Sequence, residues 1–205
     1  MCAPLAQWRG LLPLIGGAGL YAVTPRGRCV PGGHYEEGSL IWRSRWVTED
    51  GIVECREALA FPGEPGRLVL LRRVHATEGP ARVRVILHPL TEYGTQQLRE
   101  ARRDNDGVWT ARVGDLHLRW TGGGDASLSE VGSADAHFTL DLALDAGQRH
   151  DLYSNSARGR HGTTPLRFHP IPGREPNAPG RTPYPPWTTP SPPTTHDRRT
   201  PYSGA

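Results

Sequence analysis

Apolar and polar residues alternate with a period of two from about residue 20 to residue 152. In ARVRVILH, Val83, Val85 and Leu87 share one face of an extended chain, and Arg82 and Arg84 take the other. HFTLDLAL and DLHLRW show the same alternation. The period is that of a β-strand and differs from the 3.6-residue period of an amphipathic helix. The pattern therefore predicts antiparallel strands with one buried and one solvated face.

Short turn sequences separate the alternating segments. Further strands are predicted at SLIWRSRWV, IVECREALA, LVLLRRVHA and GVWTARV. The connections TEDG, GEPG, EGP, DNDG and GGGD supply the residues that tight turns need. Only TQQLREARR, residues 95–103, is predicted as a helical turn or polar loop. Seven or more strands with short turns predict an all-β fold, an antiparallel β-sandwich.

The last 55 residues have a different composition. They hold 12 of the 20 prolines and a net charge of +4, from 7 arginines and 3 acidic residues. Such a segment cannot bury enough apolar surface to offset its chain entropy. We therefore expect an N-terminal segment at residues 1–19, possibly truncated, a β-sandwich domain at 20–152 and a disordered Pro/Arg/Thr-rich tail at 153–205. The change falls inside a strand-like segment, QRHDLY, which suggests a reading-frame change in the gene.

Charge and cysteine content argue against several classes of function. Residues 1–150 carry 17 arginines and 18 acidic residues, so no basic face for nucleic acid is expected. Cys2, Cys29 and Cys55 are odd in number and lack a CxxC spacing, which argues against a disulfide framework and a zinc site. The first apolar stretch has no positive region before it, and proline and glycine interrupt it, so neither a secretory signal nor a membrane span is predicted. We expect a reducing compartment, the cytoplasm.

Two glutamates, Glu54 and Glu57, lie close together in WVTEDGIVECREALAFP and raise the question of an acid/base pair. Asp50 and Gly51 predict a tight hairpin just before them. Because side chains alternate along a strand, Glu54 and Glu57 should point to opposite faces. A catalytic pair needs its carboxylates roughly 5 to 10 Å apart across one bond. We therefore interpret them as one solvent-facing and one rim carboxylate.

Other catalytic and cofactor signatures are missing from the sequence. The nine histidines are scattered and form no HxH or HExxH motif. There is no GxSxG motif, and GGAG and GGGD lack the lysine and serine or threonine that end a phosphate loop. We predict no catalytic residue, no cofactor and no metal site in this chain.

Tryptophans are the remaining candidates for binding. Trp42 and Trp46 share a parity on one strand, and Trp120 lies on a later strand. An aromatic face can pack against the apolar face of a pyranose ring, so these residues could form a sugar platform. The interpretation we favour is that they fill the core or cover an interface with another domain.

The order of motifs along the chain is similar to that of a known family. Residues 35–94, YEEGSLIWRSRWVTEDGIVECREALAFPGEPGRLVLLRRVHATEGPARVRVILHPLTEYG, resemble the N-terminal, trehalase-like β-domain of bacterial glucoamylase/trehalase-type glycoside hydrolases (family fifteen). The motifs follow in order: a strand with a late Trp, a DG(I/V)V hairpin, a strand that ends before Pro, an LLRR strand, EG, and an alternating strand that ends in P…YG. DGVWTARVGDLHLRW and LDLALDAGQRHDL continue the match, which spans about residues 20 to 152.

The resemblance implies a β-sandwich of the super-sandwich kind that packs against an (α/α)₆ barrel. In that family the barrel supplies two glutamates, a general acid and a general base, for inverting hydrolysis of α-glucosidic bonds. Neither the family's opening glycine-rich turn with its Ile-Asp-Trp strand nor its helical barrel is present in this sequence, so no catalytic residue can be assigned.

The family resemblance favours one function over two others. We expect a non-catalytic β-domain whose partner is a helical glycosidase catalytic domain or an α-glucan. The alternatives are a free-standing carbohydrate-binding module and a small β-sandwich enzyme, for which the alternation offers no convergent carboxylates.

Overall fold

The computed structural model describes residues 19–61, 65–130, 133 and 135–158. These residues form two antiparallel sheets. The strands are β1 (Leu20–Pro25), β2 (Cys29–Tyr35), β3 (Trp42–Thr48), β4 (Ile52–Leu59), β5 (Arg67–Glu78), β6 (Ala81–His88), β7 (Leu98–Arg103), β8 (Trp109–Val113), β9 (Leu116–Thr121), β10 (Ser127–Ser129), β11 (His137–Leu144) and β12 (Arg149–Arg158). One sheet has the order β1-β6-β11-β10, and the other has the order β2-β3-β4-β5-β12-β9-β8-β7. The predicted all-β antiparallel sandwich is confirmed.

The core lies between the two sheets and follows the alternation in the sequence. Val83 and Val85 of β6 are fully buried, as is Phe138 of the neighbouring strand β11. From the eight-stranded sheet, Trp120 packs its ring 5.6 Å from the ring of Phe138, and Trp109 packs at 5.1 Å. Interlocked aromatic rings of this kind supply a large share of the buried apolar surface of a small sandwich.

The smaller sheet covers only part of the larger one. Its edge strand β1 lies over β5, because the carbonyl oxygen of Tyr21 accepts a hydrogen bond from Arg72 at 2.7 Å. Strands β4, β3 and β2 continue the larger sheet beyond β5. The outermost strand β2 is exposed from Val30 to Tyr35. The inner face of the larger sheet therefore opens to solvent toward β2.

Strand β7 corrects the prediction of a helical turn or polar loop at residues 95–103. Leu98 is buried, and β7 pairs with β8. Glu100 has a positive φ of 52°, and the register shifts between Arg99 and Arg102. This bulge breaks the period of two, so the segment does not show the strand pattern. The helical turn lies earlier, as a 3-10 turn at Glu92–Gly94.

Strand β12 corrects the predicted end of the domain at residue 152. It continues to Arg158, and Ser154 and Asn155 are buried. The side-chain oxygen of Asn155 accepts a hydrogen bond from Arg67 at 3.2 Å. Consecutive residues are buried from Leu152 to Asn155, and two of them are polar, so no apolar period marks this end of the strand. The predicted N-terminal segment, up to residue 18, and the remainder of the predicted tail, from residue 159, lie outside the described residues.

Within the ranges that the structure describes, no helix is both long enough and apolar enough to cross a membrane.

Two glycines allow two turns to pack back to back. Gly51, in the turn between β3 and β4, has a φ of 153°, and a Cβ added there would lie 1.7 Å from the carbonyl oxygen of Glu78. Gly79, in the turn between β5 and β6, would place a Cβ 1.9 Å from the carbonyl oxygen of Asp50. Distances this short exclude any side chain at either position unless the backbone moves.

We expect Gly51→Ala to lower the free energy of unfolding by more than Gly27→Ala, the matched control. Both glycines have positive φ, but a Cβ at Gly27 would meet no atom within 4 Å. The control should lose about 1 kcal/mol from backbone strain alone. Urea unfolding of both variants checks the difference, and equal losses would show that the two turns can separate without cost.

Candidate functional site

The two glutamates of β4 point to opposite faces, as the alternation predicted. Val53 and Cys55 of β4 are buried against the core, and Glu57 shares their parity. Glu54 lies on the outer face, where its carboxylate is 3.7 Å from Arg43 and 3.7 Å from Arg45. Glu57 lies on the inner face and forms an ion pair of 3.1 Å with Arg72. The two carboxylates therefore cannot act on one bond.

Glu57 belongs to a line of side chains across four strands of the larger sheet. Tyr35 of β2 pairs with Trp42 of β3, Trp42 pairs with Glu57 of β4, and Glu57 pairs with Arg72 of β5. Directly paired residues of neighbouring strands project to the same face. We call Tyr35, Trp42, Glu57 and Arg72 the cross-strand row. It runs from the open edge of the sheet to a position beneath β1.

The aromatic half of the cross-strand row is held in a defined orientation. The indole Nε1 of Trp42 donates to the hydroxyl of Ser44 at 2.9 Å. The indole ring also packs against Gly33 of β2, where an added Cβ would lie 2.5 Å from Cζ2. The ring of Tyr35 stands 5.0 Å away with an interplanar angle of 72° and is 62% exposed. Two rings therefore meet at a corner on the open part of the sheet.

The charged half of the row is fixed by buried partners. Arg72 is buried and donates from Nη1 to the Tyr21 carbonyl at 2.7 Å and from Nη2 to Glu57 at 3.1 Å. Its guanidinium carbon lies 4.0 Å from the centroid of the Tyr21 ring. The Glu57 side chain is 25% exposed. One end of the ion pair is thus sealed in the core, and the carboxylate end reaches solvent.

Two other titratable groups beside the ion pair stay neutral. Burial raises the pKa of the Cys55 thiol, and the nearby Glu57 carboxylate raises it further. The thiol donates toward the second oxygen of Glu57 at 3.7 Å. Burial also raises the pKa of Tyr21, although the charge of Arg72 opposes this shift. Both groups are therefore protonated at neutral pH and act as hydrogen-bonding groups.

The three candidate tryptophans do not form one site. Trp42 lies in the cross-strand row, and Trp46 shares its face, as predicted, but packs against the core. Trp120 is fully buried and donates from Nε1 to the Tyr21 hydroxyl at 2.9 Å. Trp120 therefore lies in the core and presents no surface that a sugar or another domain could contact. Tyr35 and Arg72 were not among the candidates, and Glu57 was considered only as half of an acid/base pair, although all three lie in the same row as Trp42.

Cysteine chemistry differs from the expectation. Cys29 is disulfide-bonded, whereas Cys55 has a free and buried thiol. The odd cysteine count had argued against a disulfide. Across the described parts of the chain, no group of three or more His, Cys, Asp or Glu side chains could hold a metal ion.

Comparison with protein-family models found no match to this chain, and comparison with curated proteins found none either. The resemblance to the glycoside hydrolase β-domain therefore stays a prediction.

Replacement of the Glu57–Arg72 pair should show strong coupling. Glu57→Leu leaves the buried Arg72 charge without its carboxylate, so we expect a loss of about 3 to 5 kcal/mol in the free energy of unfolding. The double variant Glu57→Leu/Arg72→Leu removes both charges and should lose less than Glu57→Leu alone. Urea unfolding of the two single variants and the double variant measures the coupling. Additive losses would show that the two side chains do not stabilise each other.

Glu36, in the loop after β2, should make stability depend on pH. Burial alone would raise its pKa, but hydrogen bonds from Arg56 and Arg43 outweigh burial and hold the pKa below the ordinary value of 4.5. The folded state then binds fewer protons than the unfolded state, so this stabilisation is complete above the unfolded pKa and is lost as the pH falls through the folded pKa.

We therefore expect Glu36→Gln to be less stable than the wild type at about pH 7 and the difference to shrink below about pH 4.5. Urea unfolding across this range tests it. Glu49→Gln, at an exposed position in the turn between β3 and β4, is the control. A difference at Glu36 that stayed constant down to acid pH would contradict the assigned ion pairs.

Proposed function

We propose that this chain is a non-catalytic β-domain of a glycoside hydrolase that acts on α-glucosides, and that it docks on a helical catalytic domain. The supporting observation is a group of exposed apolar side chains at one end of the larger sheet. We call Leu40, Leu59, Phe61 and Leu68 the apolar end. Their exposed fractions are 89%, 62%, 95% and 46%.

The residues of the apolar end are brought to one end of the larger sheet although they are separated in sequence. Leu59 is the last residue of β4, and Phe61 lies two residues after it. Leu68 lies at the start of the antiparallel partner β5, and Leu40 lies just before β3. All four therefore lie at the same end of the sheet. Concentrated exposed apolar surface of this kind is typical of an interface with another domain.

The distribution of carboxylates agrees with an accessory role. Glu54 and Glu57 lie on opposite faces of β4, and each forms ion pairs with arginine. Because they do not share a face, these two carboxylates cannot form the pair across one bond that inverting hydrolysis requires. In this proposal the acid and the base belong to the helical partner. A cytoplasmic location stays part of the proposal.

The docking role is tested by replacing exposed apolar side chains in two variants, one at the apolar end and one elsewhere on the sheet. We expect Leu59→Ser/Phe61→Ser to leave the free energy of unfolding within about 0.5 kcal/mol of the wild type, because both side chains are already exposed. Val30→Ser/Val47→Ser is the matched control, since these exposed valines lie on the opposite face of β2 and β3. The isolated wild-type chain should self-associate at high concentration. Light scattering should show a monomer only for Leu59→Ser/Phe61→Ser.

Docking itself is measured by co-expression with a family-fifteen helical catalytic domain from which its own β-domain has been removed. The wild type and Val30→Ser/Val47→Ser should co-purify with the barrel, and Leu59→Ser/Phe61→Ser should not. A wild-type chain that stays monomeric at high concentration and fails to bind the barrel would overturn the proposal.

A free-standing carbohydrate-binding module is the second candidate function. One observation favours it: Trp42 and Tyr35 form an aromatic corner on the open part of the larger sheet. Of the three tryptophans considered from the sequence, only Trp42 can serve this role, because Trp46 packs against the core and Trp120 is fully buried.

A further inference from the structure

The cross-strand row combines aromatic and charged side chains on the exposed inner face of the larger sheet. We call this surface, from Tyr35 to Glu57, the open floor. Tyr35 and Trp42 supply aromatic rings, and Glu57 supplies a carboxylate on the adjacent strand. Neighbouring strands are about 4.8 Å apart, so the floor from Tyr35 to Glu57 is about 10 Å wide. This width accommodates a small ring-shaped ligand that lies across the strands.

The aromatic corner offers a rigid apolar surface. Trp42 cannot turn freely, because its Nε1 donates to Ser44 and its ring packs against Gly33. Tyr35 stands at 72° to it and forms a second side of the corner. A pyranose ring has an apolar face of C–H groups that packs on aromatic rings of this kind. Because the rings are already oriented, little side-chain entropy is lost on binding.

Glu57 offers a fixed acceptor beside the rings. One carboxylate oxygen accepts from Arg72 at 3.1 Å, and the other accepts from the Cys55 thiol at 3.7 Å. A carboxylate has about four lone-pair positions, so two contacts leave acceptor capacity on the exposed side. Hydrogen bonds from hydroxyl groups to a carboxylate are short and strong. Glu57 therefore presents a carboxylate in a constant position at the edge of the floor.

The charges of the site select for a neutral ligand. The positive charge of Arg72 is buried and already paired with Glu57, so an anionic ligand would meet the carboxylate first. A flat apolar ligand would leave the partly desolvated carboxylate without a new donor, which costs free energy. A neutral ring with several hydroxyl groups satisfies the aromatic corner and the carboxylate together.

We propose that the cross-strand row binds one pyranose unit of a neutral glycan, with the sugar ring on Trp42 and Tyr35 and its hydroxyl groups on Glu57. This site deepens the second candidate function, carbohydrate binding by the aromatic corner, and rests on it. It does not depend on the docking role, because the row and the apolar end consist of different residues. It also assigns a function to Glu57, which lies at the boundary between the buried core and the open floor.

Titration calorimetry with the full chain tests the site. The probes are maltoheptaose, cellohexaose and, as an anionic control, oligogalacturonate. We expect either neutral glycan to bind and the anionic one to bind at least about tenfold more weakly. Tyr35→Ala and Glu57→Gln should each weaken binding of the neutral glycan by about tenfold or more.

Two controls distinguish a loss of glycan binding from a loss of stability and from a loss of docking. Urea unfolding of Tyr35→Ala should match that of the wild type, because Tyr35 is an exposed side chain on an edge strand. Leu59→Ser/Phe61→Ser should bind the glycan as the wild type does, even where it no longer binds the helical barrel. The proposal is overturned if the wild type binds neither neutral glycan, or if Tyr35→Ala binds as tightly as the wild type. It is also overturned if Tyr35→Ala abolishes only the docking to the barrel.

Discussion

The guanidinium of Arg72 is the contact on which the open half of the sandwich depends. It reaches from β5 to the Tyr21 carbonyl of β1, so it joins the edge of the smaller sheet to the middle of the larger one. The same group holds Glu57 at 3.1 Å and lies over the Tyr21 ring. Burial of a charge is costly without a close partner. The position of β1 and that of the Glu57 carboxylate are therefore set together.

The two sheets differ in size, and this explains why the inner face of the larger sheet is exposed beside the contact between Arg72 and Tyr21. A sheet of four strands cannot cover one of eight, and β1 ends the cover over β5. Val53 and Cys55 of β4 are still buried, but toward β2 the inner face needs side chains that tolerate water. Trp42 meets this need by lying against Gly33 with its indole nitrogen bonded to Ser44. The side chain of Trp42 on the open floor is thus held in one orientation, although it lies near the edge of the sandwich.

The period of two predicted the sandwich, most of its strands and the faces of most side chains, since parity needs only local alternation. It correctly placed Glu54 and Glu57 on opposite faces. Even the pairing of Trp42 with Glu57 could have been read from the sequence, because a hairpin turn at TEDG sets the register on both sides. The place of Arg72 could not, because it needs the register of the next hairpin and the position of β1. Strand β7 was missed because its bulge at Glu100 breaks the alternation.

The two proposed surfaces, the apolar end and the cross-strand row, lie next to each other. The apolar end and the cross-strand row occupy the same end of β3 and β4, since Leu59 follows Glu57 by two residues on the same face. A helical partner that covers Leu59 and Phe61 would stand at the border of the floor on which Trp42 lies. In that arrangement the row becomes one side of a cleft and the partner supplies the other side. If both proposals hold, the β-domain would hold a glycan at the boundary between the domains, and the acid and base would belong to the proposed partner.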